Sequence, residues 1–225
     1  MNWEKSDHIA ATSWDKDHAL VVYGTSSVAG KIPVNELLTA DELAYSGRVN
    51  NAVQKSTWLS CRATLRLVLG AELGLKPAKI EFRKNRFGKP YLSGTNLFFN
   101  VSHCGPAFLL GFNLNGRIGI DIELLNGSEN LRLLANYAFS ADEIQYCQNG
   151  ENSSRFTEIW TLKEAYLKAL GIGLVNHLPT IRAGGTRQND LVRNHLNHKS
   201  FSCPNGESGS IVFTNKQKIQ FIQMN

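Results

Sequence analysis

Two acidic groups about forty residues apart carry residue types suited to metal-assisted phosphate chemistry. They are Asp121-Ile122-Glu123 and Glu164, the latter inside Trp160-Thr161-Leu162-Lys163-Glu164-Ala165-Tyr166-Leu167-Lys168. Brought together, Asp121, Glu123 and Glu164 supply three carboxylates for a hard divalent cation, with Lys168 beside it. Magnesium takes oxygen ligands and usually binds through a few carboxylates plus substrate phosphates, so this set points to phosphate transfer rather than to a structural metal. Each group alone has a plainer reading. Alternating acids are common on a solvated edge strand, and a Glu/Lys pair four apart on a helix is ordinarily an exposed pair worth ~0.3–0.5 kcal/mol.

Two further segments carry chemistry. Asn100-Val101-Ser102-His103-Cys104-Gly105 puts a Ser-His pair at a strand end before a Gly-Pro turn. Adjacent strand residues point to opposite faces, which disfavours a Ser-His-Asp hydrolase and suits ligand contact better. His103 could serve as a phosphate donor, a general base or a turn cap. Arg83-Lys84-Asn85-Arg86-Phe87-Gly88-Lys89-Pro90 gathers four cations around Gly88 and Pro90. It reads either as a basic surface turn or as a loop whose glycine lets backbone approach a ligand while Arg86 or Lys89 pairs with phosphate or a base edge. Lys55, Arg62 and Arg66 add cations on one predicted helix, the last two a turn apart.

The elements that must position these residues are readable from periodicity. His18 to Tyr23 is a β-branched apolar run, a first strand. Thr39 with Glu42 three residues on predicts a capping box at a helix start. Apolar residues at helical spacing predict a long helix from Ser56 to Leu75, stopped by Pro77. Ile80 to Phe82, Leu97 to Ser102 and Phe108 to Phe112 read as strands between Gly, Pro and Asn turns. Ile118 to Glu123 is another, with Ile118, Ile120 and Ile122 toward the core and Asp121 and Glu123 together on the opposite face, toward water or a cleft. Phe139-Ser140-Ala141-Asp142-Glu143 is a second capped helix start. Phe156 to Leu170 is a helix ended by Gly171 and Gly173, on which Glu164 and Lys168 share a face. Ser210 to Thr214 and Ile219 to Ile222 are strand candidates for a closing hairpin, while the polar stretch from Gly184 to Ser208 has no clear assignment.

The chain has 225 residues, 42% hydrophobic, with a formal charge of +5. That is enough for one large domain or two small ones sharing a core, and it excludes disorder. The basic balance favours an acidic or phosphorylated partner without choosing among them. Four scattered cysteines form no C-x-x-C and no zinc spacing. The N-terminal residues lack a signal-peptide pattern, and no apolar run approaches the ~20 residues that span a bilayer. The expectation is a reduced, cytoplasmic protein with no membrane or nucleic-acid partner.

Taken in order, Gly88-Lys89-Pro90, Asn100-Val101-Ser102-His103, Gly119-Ile120-Asp121-Ile122-Glu123 and the Trp160 to Lys168 block resemble the 4′-phosphopantetheinyl transferases. More narrowly, they are similar to the Sfp-type monomeric branch, built as two AcpS-like lobes in one chain. The matched blocks run from about residue 55 to 174. The resemblance implies an α+β fold of two similar lobes with pseudo-twofold symmetry. The expected division is 1–112, on the coenzyme A side, and 113–225, on the metal and carrier-protein side. It implies transfer of the phosphopantetheine arm of coenzyme A to a serine of an acidic acyl or peptidyl carrier protein, releasing adenosine 3′,5′-bisphosphate. Asp121, Glu123 and Glu164 would hold Mg²⁺, with Mn²⁺ fitting the same ligands, and Lys168 would contact phosphate or assist serine deprotonation. The base could be Glu164 or a metal-bound water. Gly88, Lys89 and Pro90 would line the adenine site, with Arg86 beside them, and Ser102 and His103 would meet the phosphates. Family members often carry a run of arginines where Lys55-Ser56-Thr57-Trp58 stands here, so Lys55, with Arg62 following, becomes the expected 3′-phosphate contact. Two other readings compete: a metal-dependent nuclease or phosphohydrolase using the same carboxylates, and a non-catalytic basic module binding an acidic helical protein.

Overall fold

The computed structural model describes residues 2–7, 14, 17–124, 128–148, 154–173, 178–183, 195–215 and 217–225. After β1 (Glu4–Ser6), β2 (His18–Thr25) forms a buried strand. A short α1 (Val34–Leu37) leads to α2 (Ala40–Gly47), where Thr39 and Glu42 form the reciprocal capping box that their spacing predicts. The long helix α3 (Ala52–Leu73) starts a turn earlier than periodicity suggested, because the Asn51 side chain accepts from Gln54 N. It also ends before Pro77, at Gly74, whose left-handed φ of 64° makes the C-terminal cap.

A two-stranded ribbon, β3 (Arg83–Lys84) and β4 (Pro90–Tyr91), precedes the antiparallel pair β5 (Phe98–Cys104) and β6 (Ala107–Asn113). Then β7 (Ile118–Glu123) is followed by α4 (Ser128–Ala138), α5 (Ala141–Gln148) and α6 (Ser154–Leu170). The chain closes with β8 (Leu196–Ser202), β9 (Ser208–Thr214) and β10 (Lys218–Met224).

The fold is α+β. One sheet has the order β1-β10-β2-β6-β5 and another the order β7-β9-β8. Period-two alternation decides how they pack. Leu20, Val22, Phe108, Leu110 and Phe112 face Leu65, Val68 and Leu69 of α3. The opposite face presents Ala19, Val21, Tyr23 and Leu109 to Ile118, Ile120, Ile122, Ile211 and Phe213 of the smaller sheet. That sheet turns its other side to α6, with Val212 among Ile159, Leu162 and Ala165. The layers therefore run helix, sheet, sheet, helix, with one long helix covering each sheet.

Three expectations need correction. Ser210 to Thr214 and Ile219 to Ile222 lie in strands that do not pair with each other. β9 runs antiparallel between β7 and β8, whereas β10 inserts parallel between β1 and β2. The division at 112/113 accordingly fails at the C-terminus, because residues 218–224 belong to the first sheet. Ile80 to Phe82 is not a strand. The carbonyl of Ile80 instead accepts from Arg66, and Phe82 lies under the guanidinium of Arg62, so this segment packs on α3. Of the unassigned stretch from Gly184, the part 184–194 lies outside the described residues, and its continuation forms β8.

Candidate active site

The acidic strand β7 and the Ser-His strand β5 are edge strands of different sheets, and they meet at a seam made by side chains. Asn100, Ser102 and Cys104 fall on one face of β5 by the period of two. Ile120 N donates to Asn100 Oδ1 at 2.8 Å, Ser102 Oγ donates to Asp121 Oδ1 at 2.8 Å, and Leu124 N donates to Cys104 Sγ at 3.3 Å. His103 points the other way and is exposed.

Helix α6 closes the site from the far side of β7. Gly119 permits this approach: a Cβ there would stand 1.9 Å from Ala165 O and 2.3 Å from Ala169 N. Lys163, fully buried, holds the opposite side of the helix. Its ammonium donates to Ala138 O at 2.6 Å and Leu178 O at 3.1 Å and pairs with Glu143 at 2.6 Å. With that side anchored, Glu164 and Lys168 face β7. The Lys168 ammonium donates to Asp121 Oδ1 at 2.5 Å and to Ser102 Oγ at 2.9 Å. The acids of β7 lie against α6 rather than on a solvated face: Lys168 reaches Asp121, which is only 2% exposed, and Trp160 hydrogen-bonds to Glu123.

This crowding governs the charges. Burial pushes the Asp121 carboxyl up, with Lys168 and Ser102 pulling the other way. Glu123 is raised by burial and then by Asp121, while Cys104 and Trp160 hydrogen-bond to it and oppose the rise. Glu164 is pushed up to about 7 by burial first, with the charges of Asp121 and Glu123 adding to it and Lys168 opposing. Carboxylates that raise one another's proton affinity are relieved by a cation. Asp121 Oδ2 and Glu164 Oε1 are buried with no hydrogen-bond partner among the described residues, so two hard oxygens are available to a ligand. Among the described residues, no three His, Cys, Asp or Glu side chains already converge as ligands. Lys168 stands on Asp121 instead. The donor set fits a hard divalent ion, whose binding would require the carboxylates to draw together.

The remaining predicted residues divide. Lys55 lies in the first turn of α3, which Thr57 Oγ1 ties to Gly105 O at 3.1 Å, beside the strand end that carries His103. Arg86 is exposed, 4.6 Å from the Phe87 ring centroid. Gly88 turns the 85–89 loop with a φ of 84°, and Pro90 opens β4. Arg62 departs from expectation. Its guanidinium donates to Glu42 at 2.6 Å and stacks on Phe82, so its charge is already neutralised. Arg66 is buried in the same network. Lys89 also departs: its ammonium turns inward, donating to Ile118 O at 2.9 Å and to Lys168 O, and burial lowers its pKa to about 8, with Arg117 and Lys168 adding to the shift.

Comparison with known proteins places this geometry. Residues 117–217, from the start of β7 through β9, match the family model described as the 4′-phosphopantetheinyl transferase superfamily. The 4′-phosphopantetheinyl transferase AcpT of Salmonella typhi is 33% identical over 150 residues, covering 64% of this chain and 73% of AcpT. The chain belongs to the 4′-phosphopantetheinyl transferase superfamily. HetI of Nostoc sp., another 4′-phosphopantetheinyl transferase, is 34% identical over 144 residues, 61% of each chain. A Synechocystis sp. protein bearing the same family name is 33% identical over 144 residues, covering 61% of this chain and 58% of its own. The match thus spans about three-fifths of the length of these two relatives.

In this member of the superfamily, several residues quoted only as parts of motifs have definite jobs. Asn100 ties the seam by accepting from Ile120 N, a role that nothing in its local sequence signals. Asn85, the uncharged residue in a run of cations, accepts from Phe87 N and Lys89 N and donates to Gly171 O at 2.8 Å. Gly119, directly before the acidic strand face, sets the distance to α6.

Proposed function

We propose that this protein transfers the 4′-phosphopantetheine arm of coenzyme A to a serine of an acyl or peptidyl carrier protein, releasing adenosine 3′,5′-bisphosphate. The observation that carries the reading is the ammonium of Lys168 on Asp121, with Glu164 near enough to feel both charges and two buried carboxylate oxygens unpartnered among the described residues. Family membership and the names of the relatives support it. Asp121, Glu123 and Glu164 would hold Mg²⁺, or Mn²⁺, which when bound neutralises charge on the pyrophosphate oxygens.

In the reaction the carrier serine oxygen forms a bond to the phosphorus bearing the pantetheine arm. The bond from that phosphorus to the bridging oxygen of the nucleotide breaks, and its electron pair leaves with adenosine 3′,5′-bisphosphate. Glu164, close enough to feel the charges of Asp121 and Lys168, would take the serine proton. Lys168, on exchanging Asp121 for phosphate, would stabilise charge that builds in the transition state. The exposed faces of Lys55, Arg86, Gly88, Pro90 and His103 would receive the nucleotide, with Ser102 held beside Asp121. We assign a soluble monomer in the cytoplasm with an acidic carrier as partner. Among the described residues, no helix is long and apolar enough to cross a membrane.

The test is mass spectrometry of a carrier protein incubated with this chain, coenzyme A and Mg²⁺, which should gain one phosphopantetheine on a single serine. Asp121→Ala and Glu164→Ala should each lower the rate by about a hundredfold or more, the scale of several kcal/mol of lost charge stabilisation, while remaining folded. Full activity in either variant overturns the site assignment. Cleavage of nucleic acid with Mg²⁺ and no coenzyme A would favour the nuclease reading instead.

A further inference from the structure

A helix leaves its last carbonyls without intrahelical partners, and α6 ends three residues past Lys168, at Gly171 in the left-handed conformation with a φ of 72°. Gly171 N and Ile172 N both return to Leu167 O. Two further carbonyls, those of Lys168 and Gly171, are taken by side chains from the first half of the chain: Lys89 Nζ donates to Lys168 O, and Asn85 Nδ2 donates to Gly171 O at 2.8 Å. Lys89 simultaneously donates to Ile118 O at 2.9 Å, the first residue of the strand that carries Asp121. A Cβ at position 171 would stand 3.0 Å from Asn85 Nδ2 and 3.4 Å from Lys89 Cδ, so the glycine lies directly beneath the pair. Within the loop, Asn85 Oδ1 holds the amides of Phe87 and Lys89, which makes residues 85–89 one rigid unit.

We propose that Asn85 and Lys89 are positioning residues: from the 85–89 turn they cap the end of α6 and pin it to β7, setting Lys168 against Asp121 without their side chains touching coenzyme A. This rests on the transferase reading. It replaces the expected nucleotide contact of the Lys89 ammonium with a contact to the helix bearing the catalytic groups.

The experiment compares wild type, Lys89→Met and Asn85→Ala in the carrier-modification assay with coenzyme A varied, and follows backbone amide exchange at residues 168–173 in the same proteins. Both variants should lose kcat, by about ten- to a hundredfold for Lys89→Met, with KM for coenzyme A unchanged, because misplacing a catalytic group costs rate rather than ground-state binding. Exchange at 168–173 should quicken in both. A raised KM at unchanged kcat would show that Lys89 touches the nucleotide and overturns the proposal, as would unaltered exchange in both variants. Asn85→Ala removes no charge and keeps the inference testable should Lys89→Met not fold. Wild type that transfers nothing would sink the transferase reading itself, while the exchange comparison would still decide the capping.

Discussion

The cleft holds one lysine on an aspartate and a second lysine behind it, and the two have different surroundings. Lys168 has a carboxylate partner at 2.5 Å. Among the described residues Lys89 has only carbonyl oxygens as partners, and burial, followed by the charges of Arg117 and Lys168, lowers its pKa from 10.5 to about 8. That has a defined consequence for stability. Between about 8 and 10.5 the unfolded chain keeps a proton on Lys89 that the folded chain has released, so folding stability gains from this residue as pH rises through that window. The cysteines and Tyr23, which burial pushes up in the folded chain, are common to wild type and Lys89→Met and cancel in their difference. Urea denaturation of both proteins at either end of the window should show wild type gaining on the variant at high pH. A difference that stays flat would mean that the ammonium is solvated in the folded protein.

At the scale of elements, α2 and α3 are joined by Glu42, which accepts from Thr39 N at the helix start, from Arg62 and from Arg66. The Arg66 side chain is 3% exposed, so Glu42→Ala leaves a buried guanidinium uncompensated. The expected loss is about 3–5 kcal/mol, with ~1 kcal/mol more for the cap, measured by urea unfolding. A loss below ~1 kcal/mol would place the pair among ordinary surface ion pairs. Periodicity and capping rules reached α2, α6 and β7, because each of these is specified by neighbours within a turn or a pleat. Partner choice was not readable in that way. Arg62 and Lys89 looked like phosphate ligands because a cation count carries no information on a carboxylate twenty residues earlier or a carbonyl seventy-nine residues later. The contact of Lys168 with Asp121 across α6 and β7 is one that the spacing allows, since it puts Asp121 and Lys168 each on a definite face. The seam through Asn100 was not, because side-chain bonds between two sheet edges leave no periodic trace.

For the molecule as a whole, the decisive element is β10. Parallel pairing joins residues far apart in sequence and leaves no local signature, so two apolar runs close together near the C-terminus suggest a hairpin. In the structure β10 lies inside the first sheet, between β1 and β2, and buries Phe221, Ile222 and Met224. Full burial of three such side chains contributes roughly 5–9 kcal/mol at ~1.5–3 kcal/mol each, comparable with the ~5–15 kcal/mol net stability of a domain. Ile222 and Met224 pack with the core under α3, whereas Phe221 packs with the layer between the sheets, so the strand supports both layers. A chain ending at residue 217 should therefore lose cooperative unfolding and its near-ultraviolet circular dichroism throughout, although every candidate catalytic residue is retained. A hairpin appended to the second half would behave differently: its loss would leave α3 and its sheet intact, and amide exchange would show residues 52–73 as protected as in the full chain. Persistent protection there would contradict the strand order. Its loss would show that α3 and the larger sheet depend on the C-terminal strand inserted between β1 and β2.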